Sequence, residues 1–102
     1  MSGLNKKEID FIYKNGRKVY TKFFILYILS SNEFKVSPVV SKKISKKAVI
    51  RNKIKRRVRN LVRIFFSKGH FLVIVKEDIS TIDFIELEND FKKNINKINK
   101  IL

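Results

Sequence analysis

Apolar positions along this chain recur with two periods, one that suits a helix and one that suits a strand. Near the start, Asn5 and Glu8 have the spacing of a helix cap and its reciprocal partner, and Ile9, Ile12 and Tyr13 follow at i, i+3 and i+4 before Asn15-Gly16. This predicts a short first helix over Lys6 to Lys14. Phe23 to Leu29 is rich in aromatic and branched residues, and Phe34 to Val40 follows after the polar Ser30-Ser31-Asn32-Glu33, the pattern of a hairpin with a four-residue loop. A further short strand fits Lys18 to Thr21. Pro38 cannot donate to a sheet ladder, so the Phe34 strand is expected at an edge or a bulge. Ile54, Val58, Leu61, Val62 and Phe65 then form one stripe, so a long second helix buries them. Ser67-Lys68-Gly69 ends it. Phe71 to Val75 is apolar at every position, as expected of a strand covered on both faces. Ser80 and Asp83 resemble a helix start, and Phe84, Leu87, Phe91, Ile95, Ile98 and Leu102 keep one apolar face for a third helix.

The order is helix, two or three strands, basic helix, strand, helix. We read it as an α/β (α+β) sandwich, one domain over residues 1–102 with a small mixed sheet. The long helix joins strands that can lie parallel, a connection that is usually right-handed.

Charge narrows the function. The chain has 24 Lys and Arg against 9 Asp and Glu, a formal net charge of +15, yet 44% of it is hydrophobic. It can therefore bury a core, unlike a disordered basic tail. A folded body with this excess repels itself unless a polyanion neutralises it, so nucleic acid or an anionic membrane surface is the expected partner. The longest apolar runs fall well short of the roughly 20 residues of a membrane-spanning helix, which favours nucleic acid. No apolar leader follows Met1 and the chain has no cysteine, so a reducing, cytoplasmic setting is expected.

The charge is concentrated. From Lys42 to Arg63, 11 of 22 residues are basic, and no Asp or Glu occurs between Glu33 and Glu77. A solvated helix normally mixes both signs to limit repulsion. A face with Asn52, Arg56, Arg59 and Arg63 and no acid instead presents a row of cations to phosphates, with Arg able to grip two oxygens at once.

The segment Val40-Ser41-Lys42-Lys43-Ile44, followed by Ala48-Val49-Ile50-Arg51-Asn52-Lys53-Ile54-Lys55-Arg56-Arg57-Val58-Arg59, resembles the signature of the bacterial ribonuclease P protein family. That signature is a Lys-Lys pair leading into an Arg-Asn-Arg run and then a Lys-Arg pair on a helix. Lys53 stands where the family has its second Arg, which keeps the charge but loses the bidentate fork. The likeness extends to Tyr13 and Gly16, to the Phe-Ile-Leu-Tyr strand at Phe24 to Tyr27, and to the C-terminal helix.

The resemblance implies a left-handed crossover through the basic helix, and contact between catalytic RNA and a signature helix carrying Lys42, Lys43, Lys46, Lys47, Arg51, Asn52, Lys53, Lys55, Arg56, Arg59 and Arg63. It further implies a cleft between first helix and sheet that holds the 5′-leader of precursor tRNA. By position, Ile9, Tyr13, Ile25 and Tyr27 fall in that cleft, where rings beside cations would stack bases of any sequence. Ile9 puts an aliphatic surface where the family often has Phe. The implied chemistry belongs to the RNA and the Mg²⁺ it binds, with this chain as the non-catalytic protein of an endonuclease holoenzyme.

Two other classes have to be weighed: a ribosomal protein, equally small and basic, and a free-standing nuclease. The second finds little support, because His70 is alone and six of nine acids lie between Glu77 and Asp90. Asp83, Glu86 and Asp90 share a helix face, which we read as solvated. Ser41 and Ser45 have no nearby base, His70 is expected in a turn or at the surface, and no metal site is expected on the protein. Phe23, Phe24, Phe65, Phe71, Phe84 and Phe91 are expected in the core.

Overall fold

Asn5 opens the first helix as its spacing predicts: its side chain accepts from the Glu8 N–H at 2.9 Å, and the Glu8 carboxylate accepts from the Asn5 N–H at 3.0 Å. The computed structural model describes residues 3–102. This helix, α1, spans Lys6–Asn15 and stops at Gly16, where a Cβ would lie 2.5 Å from the Ile12 carbonyl oxygen. The chain continues through β1 (Arg17–Tyr20), β2 (Phe24–Leu29), β3 (Phe34–Val39), α2 (Ala48–Phe65), β4 (Gly69–Val75) and α3 (Phe84–Ile101).

The four strands form one mixed sheet in the order β1-β2-β4-β3. Here the hairpin expectation fails. β2 and β3 do not pair: β4 inserts between them, antiparallel to β2 with Leu26 opposite Val73, and parallel to β3 with Val36 opposite Phe71. The Gly69 N–H donates to the Glu33 carbonyl at 2.8 Å, so β4 begins inside the connection that would have closed the hairpin. The physical reason lies in β4 itself. Its run of apolar residues is covered only at the middle of a sheet with helices on both faces. β3, which carries Pro38, is left at an edge.

Helices cover both faces. Phe24, Leu26 and Ile28 of β2 and Phe71, Val73 and Val75 of β4 point to one side, where they meet Ile54, Val58, Leu61 and Val62 of α2 and Leu87, Phe91 and Ile98 of α3. Each such side chain contributes roughly 1.5–3 kcal/mol by leaving water. Phe23, Phe24, Phe71 and Phe91 are buried as expected, and Phe65 and Phe84 pack half-buried against them. The other face carries a smaller core of Leu4, Ile12, Tyr27 and Leu72, flanked by Ile9, Ile25, Leu29 and Ile74, beneath α1.

Candidate RNA interface

α2 turns its apolar stripe to the larger core, and this leaves Asn52, Lys53, Arg56, Asn60 and Arg63 exposed, with Arg51, Lys55 and Arg59 half-buried. Arg56, Arg59, Asn60 and Arg63 line one shallow depression along the helix. Among the described residues Lys35 is paired with Glu8 and the His70 ring lies 3.6 Å from the Glu33 carboxylate, and no Lys or Arg from Lys42 to Arg63 lies within salt-bridge distance of an acid. Lys53, Arg56 and Arg63 are the exposed cations of the helix.

The first part of the basic run lies elsewhere than expected. α2 starts at Ala48, so Lys42, Lys43, Lys46 and Lys47 stand on the turns between β3 and α2, not on the helix. The local reason is the backbone. Ile44 and Ser45 N–H groups both fold back onto the Ser41 carbonyl, and the Arg51 guanidinium reaches down to the Ser45 carbonyl at 2.9 Å. Arg51 thus fastens the basic turns to the helix.

Arg57, inside the same basic run, does other work that its sequence context hides. Its guanidinium donates to the carbonyls of Ile79 and Ser80, both at 2.9 Å, and of Ile82, and lies over the Phe84 ring. It ties α2 to the segment before α3.

On the opposite face, the strand register shows a second feature. Lys18, Tyr27, Leu72 and Ser37 form one row across the four strands, and Tyr20, Ile25, Ile74 and Val39 form the next. α1 lies over the first row: Leu4 N–H donates to the Ser37 hydroxyl at 2.8 Å, Ile12 is fully buried, and the Tyr13 and Tyr27 rings meet at 4.9 Å. The second row stays open beside it. Tyr20 is 59% exposed and Val39 42%, with Ile25 and Ile74 half-buried between them.

Ile9 of α1 and Ile25 and Ile74 of the open row are half-buried and pack against the smaller core, and Tyr13 of α1 stands over Tyr27. Tyr13 is 60% exposed, whereas Tyr27 is only 6% exposed and belongs to the smaller core. The Lys18 ammonium sits 5.2 Å from the Tyr27 ring centroid and 5.3 Å from that of Tyr20. Its phenol neighbours, Tyr20 before Tyr27, hold the Lys18 pKa above the ordinary lysine value. Lys18 and Tyr20 were missed from the sequence, because only the β1–β2 register places them beside Tyr27.

Asp83 and Asp90 are each engaged separately. Asp83 caps α3 by accepting from the Ile85 N–H, and Asp90 is buried, accepting from the Lys22 and Phe23 N–H groups at 2.9 and 3.0 Å. Asp90 is thus a structural anchor for the start of β2, not part of the expected solvated face. His70 also departs from expectation: it is half-buried within β4, with Nε2 buried, unpartnered and 3.6 Å from the Glu33 carboxylate. Glu8, Glu33 and His70 bring ligand atoms within 4.8 Å of one another. However, the Lys35 ammonium binds both Glu8 oxygens, at 2.9 and 3.1 Å, and stands where a cation would go.

The three-helix, four-strand fold and its basic helix define a small α+β protein with a strongly cationic surface. Comparison makes the class specific. The sequence model of the ribonuclease P family matches residues 4–99. The ribonuclease P protein component of Rickettsia prowazekii is 37% identical over 89% of this chain and 88% of its own, and that of Rickettsia akari is 38% identical over 87% and 89%. Among solved structures, the Staphylococcus aureus RNase P protein superposes with a TM-score of 0.75 at 26% identity, over 96% of this chain and 94% of that one. The Thermotoga maritima RNase P protein shares the fold, with a TM-score of 0.77 at 22% identity over 100% and 99%. The chain belongs to the ribonuclease P protein family, and so to a ribonucleoprotein of tRNA processing. Among the described residues, no helix is long and apolar enough to cross a membrane.

Proposed function

We propose that this chain binds the catalytic RNA of ribonuclease P through the α2 face and the turns before it, and binds the 5′-leader of precursor tRNA in the groove beside α1. The observation that carries this reading is the cation row: 11 basic residues in 22, with no acid among the described residues within salt-bridge distance of any of them. Arg56, Arg59 and Arg63 take phosphate oxygens of the catalytic RNA, while Lys42, Lys43, Lys46, Lys47, Lys53 and Lys55 add charge along its path. Asn52 supplies a neutral donor and acceptor within that row.

The groove leads to the same surface. The chain leaves the open row at Val39 and reaches the basic turns at Lys42, so the leader and the catalytic RNA lie on adjoining surfaces. Tyr13 offers an exposed ring to a base, Ile9 and Ile25 offer apolar contact, and Lys18 offers charge to a phosphate. Tyr27 acts mainly as the buried support against which Tyr13 packs.

Hydrolysis of the phosphodiester is assigned to the RNA with its bound Mg²⁺, where the metal activates water. Among the described residues, Asp83 and Asp90 are already engaged by backbone N–H groups, and the Lys35 ammonium already binds Glu8 beside Glu33 and His70. The protein contributes by screening repulsion between two RNAs and by holding the leader, which lowers the divalent ion requirement. The test is reconstitution of leader removal from purified protein and catalytic RNA. Stimulation at low Mg²⁺ is expected. An unchanged rate at low Mg²⁺, or cleavage by the protein without RNA, contradicts the reading.

A further inference from the structure

β1 is the outermost strand of the sheet, and on its α1-facing side it carries two residues, Lys18 and Tyr20. Val19 between them points to the larger core beside Leu26. Tyr20 is 59% exposed at the sheet edge, so its ring is open to a stacking partner. Its cross-strand partner is Ile25, and Tyr27 lies diagonally, at the separation of about 7–8 Å that such pairs have. One ammonium, that of Lys18, lies over both rings.

This arrangement suits a single strand of nucleic acid better than it suits a protein or lipid partner. A base needs a flat, uncovered ring face and tolerates no particular edge chemistry, and Tyr20 supplies such a face. A phosphate needs a mobile cation beside the ring. Lys18, a point charge on a flexible stem, can turn from the phenyl faces to a phosphate and so free the ring for stacking. The net charge of +15 supplies the complementary field.

We propose that Tyr20 and Lys18 form a further base-stacking position at the β1 edge of the groove, taking the leader nucleotide that adjoins the one held at Tyr13. The proposal rests on the leader reading above and adds to it. The footprint on the leader is one nucleotide longer than the α1 residues alone provide, and affinity rises at the leader length that first reaches β1.

Holoenzyme reconstituted with wild-type or variant protein is titrated with precursor tRNAs whose leaders lengthen one nucleotide at a time. Tyr20→Ala is expected to weaken binding about 5- to 100-fold for leaders that reach β1, and to leave shorter leaders and mature tRNA unaffected. Tyr20→Phe retains the ring and should behave as wild type. Lys18→Gln should flatten the salt dependence for the same long leaders only. Tyr13→Ala, run in parallel, separates the two readings. If Tyr13→Ala loses leader affinity and Tyr20→Ala does not, the β1 position is wrong while the groove assignment stands. If Tyr20→Ala weakens all substrates equally, mature tRNA included, the ring is structural and the proposal fails. If neither variant distinguishes leader-bearing from mature tRNA, both readings fall.

Discussion

Arg57 of α2 and Ile79, ahead of α3, are joined by a 2.9 Å hydrogen bond in which the guanidinium donates to a buried carbonyl. The same fork reaches Ser80 and Ile82, so one arginine of the basic run serves the fold. Arg57→Ala is therefore expected to destabilise by roughly 2–3 kcal/mol, since charge-assisted bonds are lost and carbonyls are left without donors. Urea unfolding measures this. The salt slope of RNA binding should stay at the wild-type value, and Arg57→Lys should restore stability only in part, lacking the planar fork.

Arg56 and Arg59, on either side of it in sequence, line the open depression instead. Replacing both by Ala should weaken binding to the catalytic RNA and reduce the slope of log affinity against log salt by about 0.7–0.9 for each lost phosphate contact. Folding stability should change by less than about 1 kcal/mol. A salt titration with an unchanged slope would place the RNA elsewhere.

Glu8 both closes the α1 cap and accepts from Lys35, and these two contacts, the Asn5 N–H first, hold its pKa below the ordinary 4.5. A lowered carboxyl contributes stability above its unfolded pKa and loses it as pH falls through the folded value. Lys35, raised above 10.5 chiefly by its bond to Glu8, contributes below its unfolded pKa and loses it as pH rises through the folded value. Wild type should thus exceed Glu8→Gln in melting temperature across the interval between these ranges, with the gap closing in acid and again in strong alkali. Parallel Tm curves at all pH values would show that the pair does not matter.

Gly69 starts β4 with φ of 105°, and a Cβ there would lie 2.6 Å from Leu102 Cδ2 and 3.2 Å from the Phe71 ring. Gly69→Ala should cost roughly 2–3 kcal/mol, from backbone strain and from crowding together. Adding Leu102→Ala relieves the crowding and leaves the strain, so the double variant should recover only part. Gly3→Ala, whose Cβ would meet nothing closer than 3.7 Å, is the control and should be neutral.

The amino-acid sequence alone determined the elements and their buried faces. The α1 capping box, the apolar stripe from Ile54 to Val62, the edge position of Pro38 and the interior position of β4 all follow from local spacing, because a helix or strand declares its covered face by periodicity. The family signature at Lys42 to Arg59 was equally plain.

Tertiary structure decided what depends on residues far apart in the chain. Adjacent strands β2 and β3 were readable as a hairpin, but two-sided burial of β4 outweighed the short connection and separated them. Arg56 and Arg57 look alike in sequence; one faces solvent and the other binds carbonyls more than 20 residues away. Lys18 and Tyr20 reach Tyr27 only through β1–β2 register, and Asp90 is anchored by Lys22 and Phe23 N–H groups 68 and 67 residues earlier. Periodicity reports which face of an element is covered, and the folded packing alone selects what covers it.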